Sequence, residues 1–453
     1  MKELVENLYK FNRCLLGAGF DNALEYLNHL IPLEILEFPS GAEYGTWTVP
    51  NEWIVKDAWI KDPEGNKIAD YQTNPLSLVV GSTPQRGSVT LEELRKHWIY
   101  SDEMPDHTPY GYSFYYKDKD RNWGFCFPKN QVKETNDGEL PPMKLEDGTE
   151  FSPGFKDKLK EGEYEVFIDT EYRPGKLKVG VHTIKGKSDR EILLFAHLDH
   201  PYQANDNLSG VACLVDLAMR LKCDHTIKIV FCPETIGSVA YALTQDLSKV
   251  DFMIAVDAIG NNNTLLLQNA FDKNHKINKI AHLATQQEGK SFRKGQFRND
   301  RGSDEYIFND PLIGVPGIMF TRHPYKEYHT SADTPEIIDY EKITEVQNII
   351  TRIIEYWEKD FIPKREFRGQ LMRHKFDIQS PNPQFNLSWD YLIYNMNGER
   401  SVAELCTDFG LNFEFTYETL DKMSKDGTIS KVGGSNVGKS KQQKTTRKKH
   451  KAV

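Results

Sequence analysis

The chain contains no apolar run long enough to cross a membrane. Its 453 residues include no stretch of 18 consecutive apolar residues, and the mean hydropathy is -0.59. The N-terminal segment mixes both charge signs and lacks an apolar core, which argues against a secretory signal. Hydrophobic residues make up 39% and charged residues 27%, as in soluble globular proteins. We therefore expect a cytoplasmic protein without membrane contact, and the length predicts two to four domains.

Cysteine is scarce, and none of the six residues forms a C-x-x-C pair. Three of them fall in segments with the pattern of buried helices or strands. We therefore expect core thiols in a reducing compartment. The six residues are Cys14, Cys126, Cys213, Cys223, Cys232 and Cys406.

Net positive charge is concentrated at the end of the chain. The net charge is -9, yet residues 439–453 hold seven Lys or Arg and no acid, so the rest of the chain carries -16. The negative net charge of residues 1–438 argues against nucleic-acid binding. Residues 433–453 are predicted to form a basic disordered tail, with contact to an anion or nucleic acid as the alternative. Residues 433–440 match G-x-x-x-x-G-K-S but lack the strand and helix of a phosphate loop, so we interpret them as a linker.

The pattern of apolar residues changes along the chain. Residues 1–40 repeat apolar side chains at three- and four-residue steps, which predicts helices. Residues 44–176 alternate Trp, Tyr, Val and Thr with polar residues between many Pro and Gly, which predicts an inserted β-rich domain. Residues 1–43 and 177–365 would then form one domain that the insert splits, because strand-like and helix-like segments alternate from about residue 177.

This alternation predicts an α/β fold with layers of helices on a mostly parallel central sheet. The predicted strands are Lys178–Thr183, Glu191–Ala196, Ile227–Cys232, Phe252–Asp257 and Gly317–Phe320. The predicted helices are one that begins near Ser209, followed by Ile236–Leu247, His275–Glu288 and Tyr340–Lys359.

Residues 370–432 resemble a winged helix. Two short helices, a Gly-containing turn, a longer helix and a Gly-Thr-Ile strand signal follow one another. The candidate recognition segment, Phe413–Lys425, together with Asp426 holds four acids against two lysines, whereas DNA readers are basic at this place. We therefore favour a protein-packing module, and a DNA-binding regulator is the alternative.

The segment from Glu191 to Gly210 carries the strongest chemical signal. An apolar run ends abruptly in His197, Asp199 and His200, and Asp206 follows just before a helix signal. The pattern predicts a buried strand, a polar loop and a helix start. Sites in open α/β sheets form at the carboxyl ends of strands. Imidazole and carboxylate groups together are the ligands of a catalytic zinc ion, so the segment predicts a metallohydrolase.

Four further polar clusters follow apolar strands or lie in loops: P-E-T-I-G-S at 233–238, D-A-I-G at 257–260, R-G-S-D-E at 301–305 and E-Y-H-T-S-A-D at 327–333. The ordered set resembles the co-catalytic zinc aminopeptidases of the leucyl aminopeptidase/transferrin-receptor superfamily. It is most similar to a bacterial subfamily with an inserted β-domain, which opens with W-T-V-P as at 47–50 here, and a C-terminal winged helix. The resemblance covers residues 1–432 and implies an aminopeptidase-like three-layer fold.

The resemblance also implies ligands for one or two zinc ions. Asp206 would bridge two ions, His197 and Asp257 would complete one of them, and His329 would bind the other. The implied activity is release of an N-terminal amino acid from a small peptide, or cleavage of an aminoacyl amide, by a metal-activated water.

Other residues take catalytic or supporting roles by the same resemblance. Glu234 would be the general base, and Asp199 would orient an imidazole as a carboxylate behind the ligands. Asp333 is expected to do the same for His329. Tyr325 or Tyr328 would donate to the developing oxyanion, with a packed aromatic ring as the alternative.

One position departs from the superfamily, where a second acid follows the general base as a metal ligand. Here the residue is Thr235, and a neutral hydroxyl is a poor zinc ligand. Three outcomes stay open: the second ion is weak or absent, Glu234 is a ligand rather than the base, or His200 is the extra ligand. A catalytically weak or inactive binding or assembly protein is therefore the alternative function, and a homo-oligomer is left open.

Overall fold

A computed structural model describes residues 1–113, 122–133, 143–144, 150–151 and 158–432. The predicted basic tail and its G-x-x-x-x-G-K-S match lie outside these residues. Within the described ranges, every helix is too short or too polar to span a lipid bilayer.

The helices and strands follow one another in the order expected of an α/β chain with a β-rich early segment. The helices are α1 Lys2–Tyr9, α2 Ala18–Leu30, α3 Leu91–Leu94, α4 Lys129–Val132, α5 Asn205–Arg220, α6 Ile236–Thr244, α7 Lys276–Gln286, α8 Glu305–Phe308, α9 Tyr340–Lys359, α10 Pro383–Asn395, α11 Val402–Phe409 and α12 Phe413–Lys425. The strands are β1 Glu34–Pro39, β2 Glu43–Tyr44, β3 Trp47–Thr48, β4 Glu52–Lys61, β5 Lys67–Asp70, β6 Gln85–Thr90, β7 Trp98–Ile99, β8 Phe125–Cys126, β9 Met143–Lys144, β10 Glu150–Phe151, β11 Glu163–Arg173, β12 Lys176–Ile184, β13 Glu191–His197, β14 Thr226–Cys232, β15 Val250–Asp257, β16 Leu266–Gln268, β17 Arg293–Gly295, β18 Gly317–Thr321, β19 Ile362–Arg365 and β20 Ile429–Val432.

An eight-stranded mixed sheet forms the centre of the molecule, in the order β1-β12-β14-β13-β15-β18-β16-β17. Four of its seven neighbouring pairs are parallel, and the parallel set includes β13, β14, β15 and β18. These four strands read as continuous apolar runs because both faces of the sheet are covered. Their carboxyl ends lie together at one edge, where the polar clusters of the sequence follow.

Helices cover the central sheet on both faces, which makes a three-layer arrangement. On one face, Ile192 and Leu194 of β13 pack in a core shared with α1, α2, α5, α7 and α9. On the other face, Leu193 and Phe195 of the same strand pack against α6 and α8. Alternate side chains of one strand thus enter two different cores, as strand geometry requires.

The sequence-based α/β prediction is confirmed in its coarse form, and helix α9 has the predicted bounds. The prediction of helices throughout residues 1–40 is wrong, because residues Glu34–Pro39 form strand β1. This segment pairs antiparallel with β12 at the end of the central sheet. Its register places Phe38 in the core beside β3, whereas most of its other side chains are partly or fully exposed. The apolar residues Ile35, Leu36 and Phe38 do not alternate strictly with polar ones, so this edge strand gives no clear period of two.

A second sheet lies between β1 and β12 in sequence. It has the order β5-β4-β11-β6 and is antiparallel throughout, and we call it the small sheet. It has its own apolar core, which includes Ile60, Tyr164 and Ile168. The antiparallel β structure expected for residues 44–176 therefore occurs in this part of the chain, while the domain division itself stays a prediction.

Residues after α9 form three helices that pack on the main body. Strand β20 pairs antiparallel with β19, which directly follows α9. Helix α11 begins with a capping box, in which the Ser401 side chain accepts from the Glu404 backbone and the Glu404 side chain accepts in return. Trp389 of α10 and Leu405 of α11 belong to the same core as the central sheet. The assignment of this unit as a winged helix stays a prediction.

Candidate metal centre

Four strand ends bring the polar clusters together. His197 is the last residue of β13, Glu234 lies two residues beyond β14, and Asp257 ends β15. His329 lies in the loop after β18, and Asp206 lies in a non-helical turn at the start of α5. This is the edge at which open α/β sheets form their sites, and the structure therefore gathers the residues that the sequence selected.

Asp206 lies at the centre of the cluster, between two imidazoles. Its Oδ1 is 2.9 Å from His197 Nε2, and its Oδ2 is 2.9 Å from His329 Nε2. The Asp206 side chain is almost fully buried. Asp257 lies on the His197 side, with its Oδ1 3.9 Å from His197 Nε2. One carboxylate thus faces two separate donor groups, the arrangement that a bridging ligand requires.

His200 is the residue whose role the sequence left open, and the structure places it inside the cluster. Its Nδ1 is 3.6 Å from Asp206 Oδ1, and its Nε2 is 3.8 Å from Glu234 Oε2. The Nδ1 atom is buried without a hydrogen-bond partner. A buried polar atom with no partner is rare and calls for an explanation such as an ion. A metal ion beside Asp206 would provide that partner.

Among the residues that the structure describes, three groups of side chains have donor atoms close enough to share an ion. Within each group, the donor atoms lie within 4.8 Å of one another. The groups are His197, Asp206 and Asp257; His200, Asp206 and His329; and His197, His200 and Glu234. Mixed imidazole and carboxylate donors in buried positions match the ligand chemistry of zinc. The donor chemistry of the residues present therefore fits a zinc ion at Asp206.

The charges in the cluster perturb one another strongly. Burial alone would raise the pKa of Asp206, but the imidazoles of His200, His197 and His329 hold it well below its usual value. Burial raises the pKa of Asp257, and the carboxylates of Asp206 and Glu234 raise it further against the pull of His197. Perturbed acids packed in one buried cluster are typical of functional sites, and a bound cation would stabilise their charged forms.

Glu234 is a half-buried carboxylate at the border of the cluster. Burial, with the nearby carboxylates of Asp304 and Asp206, raises its pKa despite the neighbouring imidazoles. Its Oε1 accepts a hydrogen bond of 2.8 Å from Ser303 Oγ. A carboxylate with a raised pKa and a fixed orientation is suited to accept and return a proton near neutral pH.

The two supporting carboxylates have contacts that differ from those expected. Asp199 Oδ1 accepts from the backbone N–H of Glu234 at 2.9 Å and lies 4.0 Å from His200 Nδ1. It therefore fixes the loop that carries the base. Asp333 accepts from the backbone N–H groups of Asn205 and Asp206 at 2.6 and 3.1 Å. The expected contact of Asp333 with His329 is thus corrected: Asp333 holds the Asp206 turn.

The two tyrosines also differ in placement. The Tyr325 hydroxyl is buried and donates to Asp333 Oδ2 at 2.7 Å, so it supports the same turn. The Tyr328 ring stacks on His329 with a centroid distance of 3.8 Å and lines the cavity beside the cluster. Arg301 lies over the Tyr328 ring at 4.7 Å. Tyr328 therefore remains the candidate for contact with a reacting carbonyl.

The R-G-S-D-E cluster contributes two residues that the sequence did not single out individually. Ser303 Oγ contacts both Glu234 and, at 3.4 Å, His197 Nδ1. Asp304 Oδ2 is 3.8 Å from the same His197 nitrogen, and its Oδ1 accepts from Thr235 N–H and the Ser238 hydroxyl. Asp304, rather than Asp199, is thus the carboxylate behind His197. The available signal was their place in the R-G-S-D-E motif at 301–305, one of the polar clusters of the sequence.

Backbone strain is concentrated around the cluster. Among the described residues, seven other than glycine have positive φ, and five of them lie in its loops: His200, Tyr202, Thr235, Ala258 and His329. Residues other than glycine rarely adopt a positive φ, and they keep it only where surrounding contacts enforce it. The fold therefore holds its donor loops in fixed, unfavourable backbone shapes.

The fold is similar to that of known aminopeptidases. A zinc aminopeptidase from Bacillus subtilis has a similar fold, with a TM-score of 0.53 and 14% identity over 78% of this chain and 93% of that one. A peptidase M28 precursor from Shewanella amazonensis is similar at a TM-score of 0.52 and 16% identity, over 78% and 91% of the two chains. At these identities the likeness concerns the fold alone.

Closer relatives come from Clostridium acetobutylicum. A solved structure described as a putative peptidase has a TM-score of 0.77 and 26% identity, covering 95% of this chain and 96% of its own. A protein named "Putative polysaccharide biosynthesis protein with aminopeptidase-like domain" is 31% identical over 73% of this chain and 71% of its own length. Residues 2–360 match the family described as Domain of unknown function (DUF4910). The chain belongs to this family.

Proposed function

We propose that this protein is a metal-dependent hydrolase of amide bonds, which releases an N-terminal amino acid or cleaves a small aminoacyl amide. The observation that carries the proposal is the position of Asp206, which has one carboxylate oxygen 2.9 Å from His197 and the other 2.9 Å from His329. Asp257 on one side and His200 on the other complete two donor sets. We infer that the ions are zinc.

One ion would be held on each side of Asp206. His197, Asp206 and Asp257 would hold one, and His200, Asp206 and His329 would hold the other. In this proposal His200 takes the place of the acid that the resembled superfamily carries at the position of Thr235. When bound, the ions would lower the pKa of a water molecule and polarise the substrate carbonyl.

The remaining chemistry belongs to the protein's own groups. Glu234 would take a proton from the attacking water and deliver it to the leaving amine, because its carboxylate is half-buried, has a raised pKa and borders the cavity. Ser303 would hold one oxygen of Glu234 so that the other faces the reacting atoms. Tyr328 would donate to the oxygen of the carbonyl as negative charge develops there.

A second candidate is a protein with the same fold that binds a ligand without efficient turnover. Thr235 favours it, because the resembled enzymes place an acidic ligand at this position. Zinc content and amine release, measured on the same preparation, separate the two candidates. Zinc with release from aminoacyl amides supports the hydrolase, whereas zinc without release from any member of an amide panel supports the binding protein.

A further inference from the structure

A large cavity opens directly beside the candidate metal centre. Its volume is about 570 Å³, within the range of small-molecule sites. Asp199, His200, Glu234 and His329 line it, so its inner end is the metal centre itself. A cavity of about 150 Å³ is enough to bind one benzene molecule. The space therefore accommodates considerably more than one amide group.

Aromatic side chains from the region of the small sheet form a wall of the cavity beside the candidate metal centre. They are Trp47, Trp53, Tyr110, Tyr112 and Tyr172. Trp53 Nε1 donates to the carbonyl of Ser82 at 2.9 Å, and the Tyr172 hydroxyl donates to the carbonyl of Gly81. Because these polar ends are already bonded within the protein, the two residues can offer a ligand mainly ring surface. We call these five residues the aromatic wall.

The described lining of the cavity carries little charge apart from the metal centre. Among its described lining residues there is no lysine or arginine, and the only carboxylates are Asp199 and Glu234. A charged substituent that entered the outer part of the cavity would lose water without gaining an oppositely charged partner. Such an unpaired buried charge is costly, whereas an uncharged ring gains by leaving water.

Backbone hydrogen bonds fix the aromatic wall relative to the loop of the candidate metal ligand His329. Tyr110 N–H donates to the carbonyl of His329 at 2.7 Å, and Ser331 N–H donates to the carbonyl of Thr108 at 2.7 Å. The Tyr110 ring lies edge-on to His329 at 5.1 Å and to His200 at 5.8 Å. The wall and the donor set are therefore parts of one built site.

We propose that the aromatic wall selects amides that carry an uncharged ring beside the bond to be cleaved, and that it rejects charged substituents. The inference rests on the proposed hydrolase function and names its substrate class. Indole and phenol faces stack on flat apolar surfaces, which an aromatic ring and the face of a sugar ring both present. The structure assigns a preference for such a flat apolar face, and the experiment distinguishes an aromatic ring from a sugar ring.

The test compares matched amides with the zinc-loaded full-length protein. The reference is alanine methylamide. The ring-bearing set contains alanine benzylamide, alanine glucosylamide and phenylalanine methylamide, and the charged set contains alanine carboxypropylamide, alanine aminobutylamide and aspartate methylamide. We expect kcat/KM at least about tenfold higher for one or more ring-bearing amides than for every charged amide. Preference for benzyl or glucosyl groups identifies which kind of ring the wall receives.

Variants of the wall locate this preference. In Trp47→Ala and Tyr112→Ala, the ratio of kcat/KM for the preferred ring-bearing amide to that for alanine methylamide should fall about tenfold. Tyr112 is included because its side chain is 50% exposed, so its replacement should not disturb the packing of the core. Trp59→Ala is the matched control, because Trp59 lies in the small sheet against Phe167 and does not line the cavity. Its ratio should equal that of the wild type.

Two results would overturn the proposal: charged and ring-bearing amides cleaved equally well, or a ratio that both wall variants leave unchanged. Complete absence of hydrolysis would count against the hydrolase function instead. In that case equilibrium dialysis of N-acetylbenzylamine, an N-acetylglucosylamine and N-acetyl-4-aminobutyrate decides the selectivity alone. The proposal requires one of the two neutral ring compounds to bind more tightly than the charged one, and equal binding refutes it.

Discussion

At the scale of single residues, the candidate site depends on distances that the sequence does not contain. The ligand types and their order along the chain predicted His197, Asp206, Asp257 and His329 as a set, and the fold brings all four together. The sequence left three outcomes open for Thr235. His200 lies near both Asp206 and Glu234, which favours His200 as the ligand that replaces the missing acid at Thr235. The sequence could not show this, because only three-dimensional contacts distinguish a ligand from a neighbouring imidazole.

Replacement of His200 tests this substitution. We expect His200→Ala to lower zinc content from about two ions per chain to about one, because the second donor set keeps only Asp206 and His329. Addition of Thr235→Glu in the same background should restore the second ion by returning an acidic ligand. Metal analysis after dialysis measures both. Unchanged zinc in His200→Ala would show that this imidazole is a bystander.

Ser303 provides a second test at residue scale. Ser303→Ala removes the 2.8 Å hydrogen bond to Glu234, and we expect kcat to fall about tenfold while zinc content stays the same. Ser303→Thr keeps the hydroxyl and should restore most of the rate. Steady-state kinetics with a metal assay gives both readouts. Loss of zinc together with activity would mean that Ser303 supports the ligands rather than the base.

At the scale of helices and strands, periodicity predicted the elements that are long and buried. The strands β13, β14, β15 and β18 have continuous apolar sequences, and α9 has a clear helical repeat. Strand β1 was missed because its apolar residues do not alternate with polar ones, so the strand period of two is absent. The contacts of Asp199 and Asp333 with backbone N–H groups were also beyond the sequence, since loop geometry is set by the elements on which loops lie.

Arg13 connects an early loop to the donor segment between β13 and α5. Its buried guanidinium donates to the carbonyls of Leu8, Leu198, His200 and Gln203 at 2.6 to 2.9 Å. Burial lowers its pKa to about 10, so the group stays charged at neutral pH.

Substitution of Arg13 tests this connection. We expect Arg13→Met to destabilise the protein by about 3 kcal/mol, because four buried carbonyls lose their partner, and to weaken zinc binding through His200. Thermal unfolding of zinc-loaded and zinc-free protein measures the two effects. Arg173→Met, which removes an exposed ion pair with Glu52, is the control and should change neither. Equal behaviour of the two variants would contradict the role of Arg13.

A buried histidine joins β14, β15 and α9 away from the metal centre. His225 contacts Asp251 at 3.0 Å and Glu358 at 2.9 Å. Burial would lower its pKa, but the hydrogen bonds and charges of these two carboxylates raise it to about 9. The raised pKa means that the folded state binds this proton more tightly than the unfolded state, whose histidine pKa is about 6.5.

The stability from His225 should therefore depend on pH with a defined sign. It is fully present below about pH 6.5 and is lost as pH rises through about 9. We expect His225→Gln to lower the free energy of unfolding by about 2 kcal/mol at pH 6 and by much less at pH 10. Urea unfolding at both pH values tests this. A difference that is the same at pH 6 and pH 10 would contradict the account.

At the scale of the whole molecule, segments that are distant in sequence meet around one site. The aromatic wall comes from the region of the small sheet and closes the space over the donor loops of the central sheet. The helices after α9 share the core of that sheet. Sequence patterns predicted each region by itself, but not that residues 107–112 would lie against the loop of His329. Such long-range pairing depends on tertiary packing rather than on local pattern.

Zinc content of the purified full-length protein, compared with Asp206→Asn, tests the central claim most directly. Asp206 faces both donor sets, so its replacement should remove both ions while circular dichroism shows an unchanged fold. Asp189→Asn, an exposed acid far from the site, should keep the wild-type content. We predict about two zinc ions per chain in the wild type and almost none in Asp206→Asn. Wild-type protein that stays free of metal after growth in zinc-replete medium and after zinc addition would contradict the account.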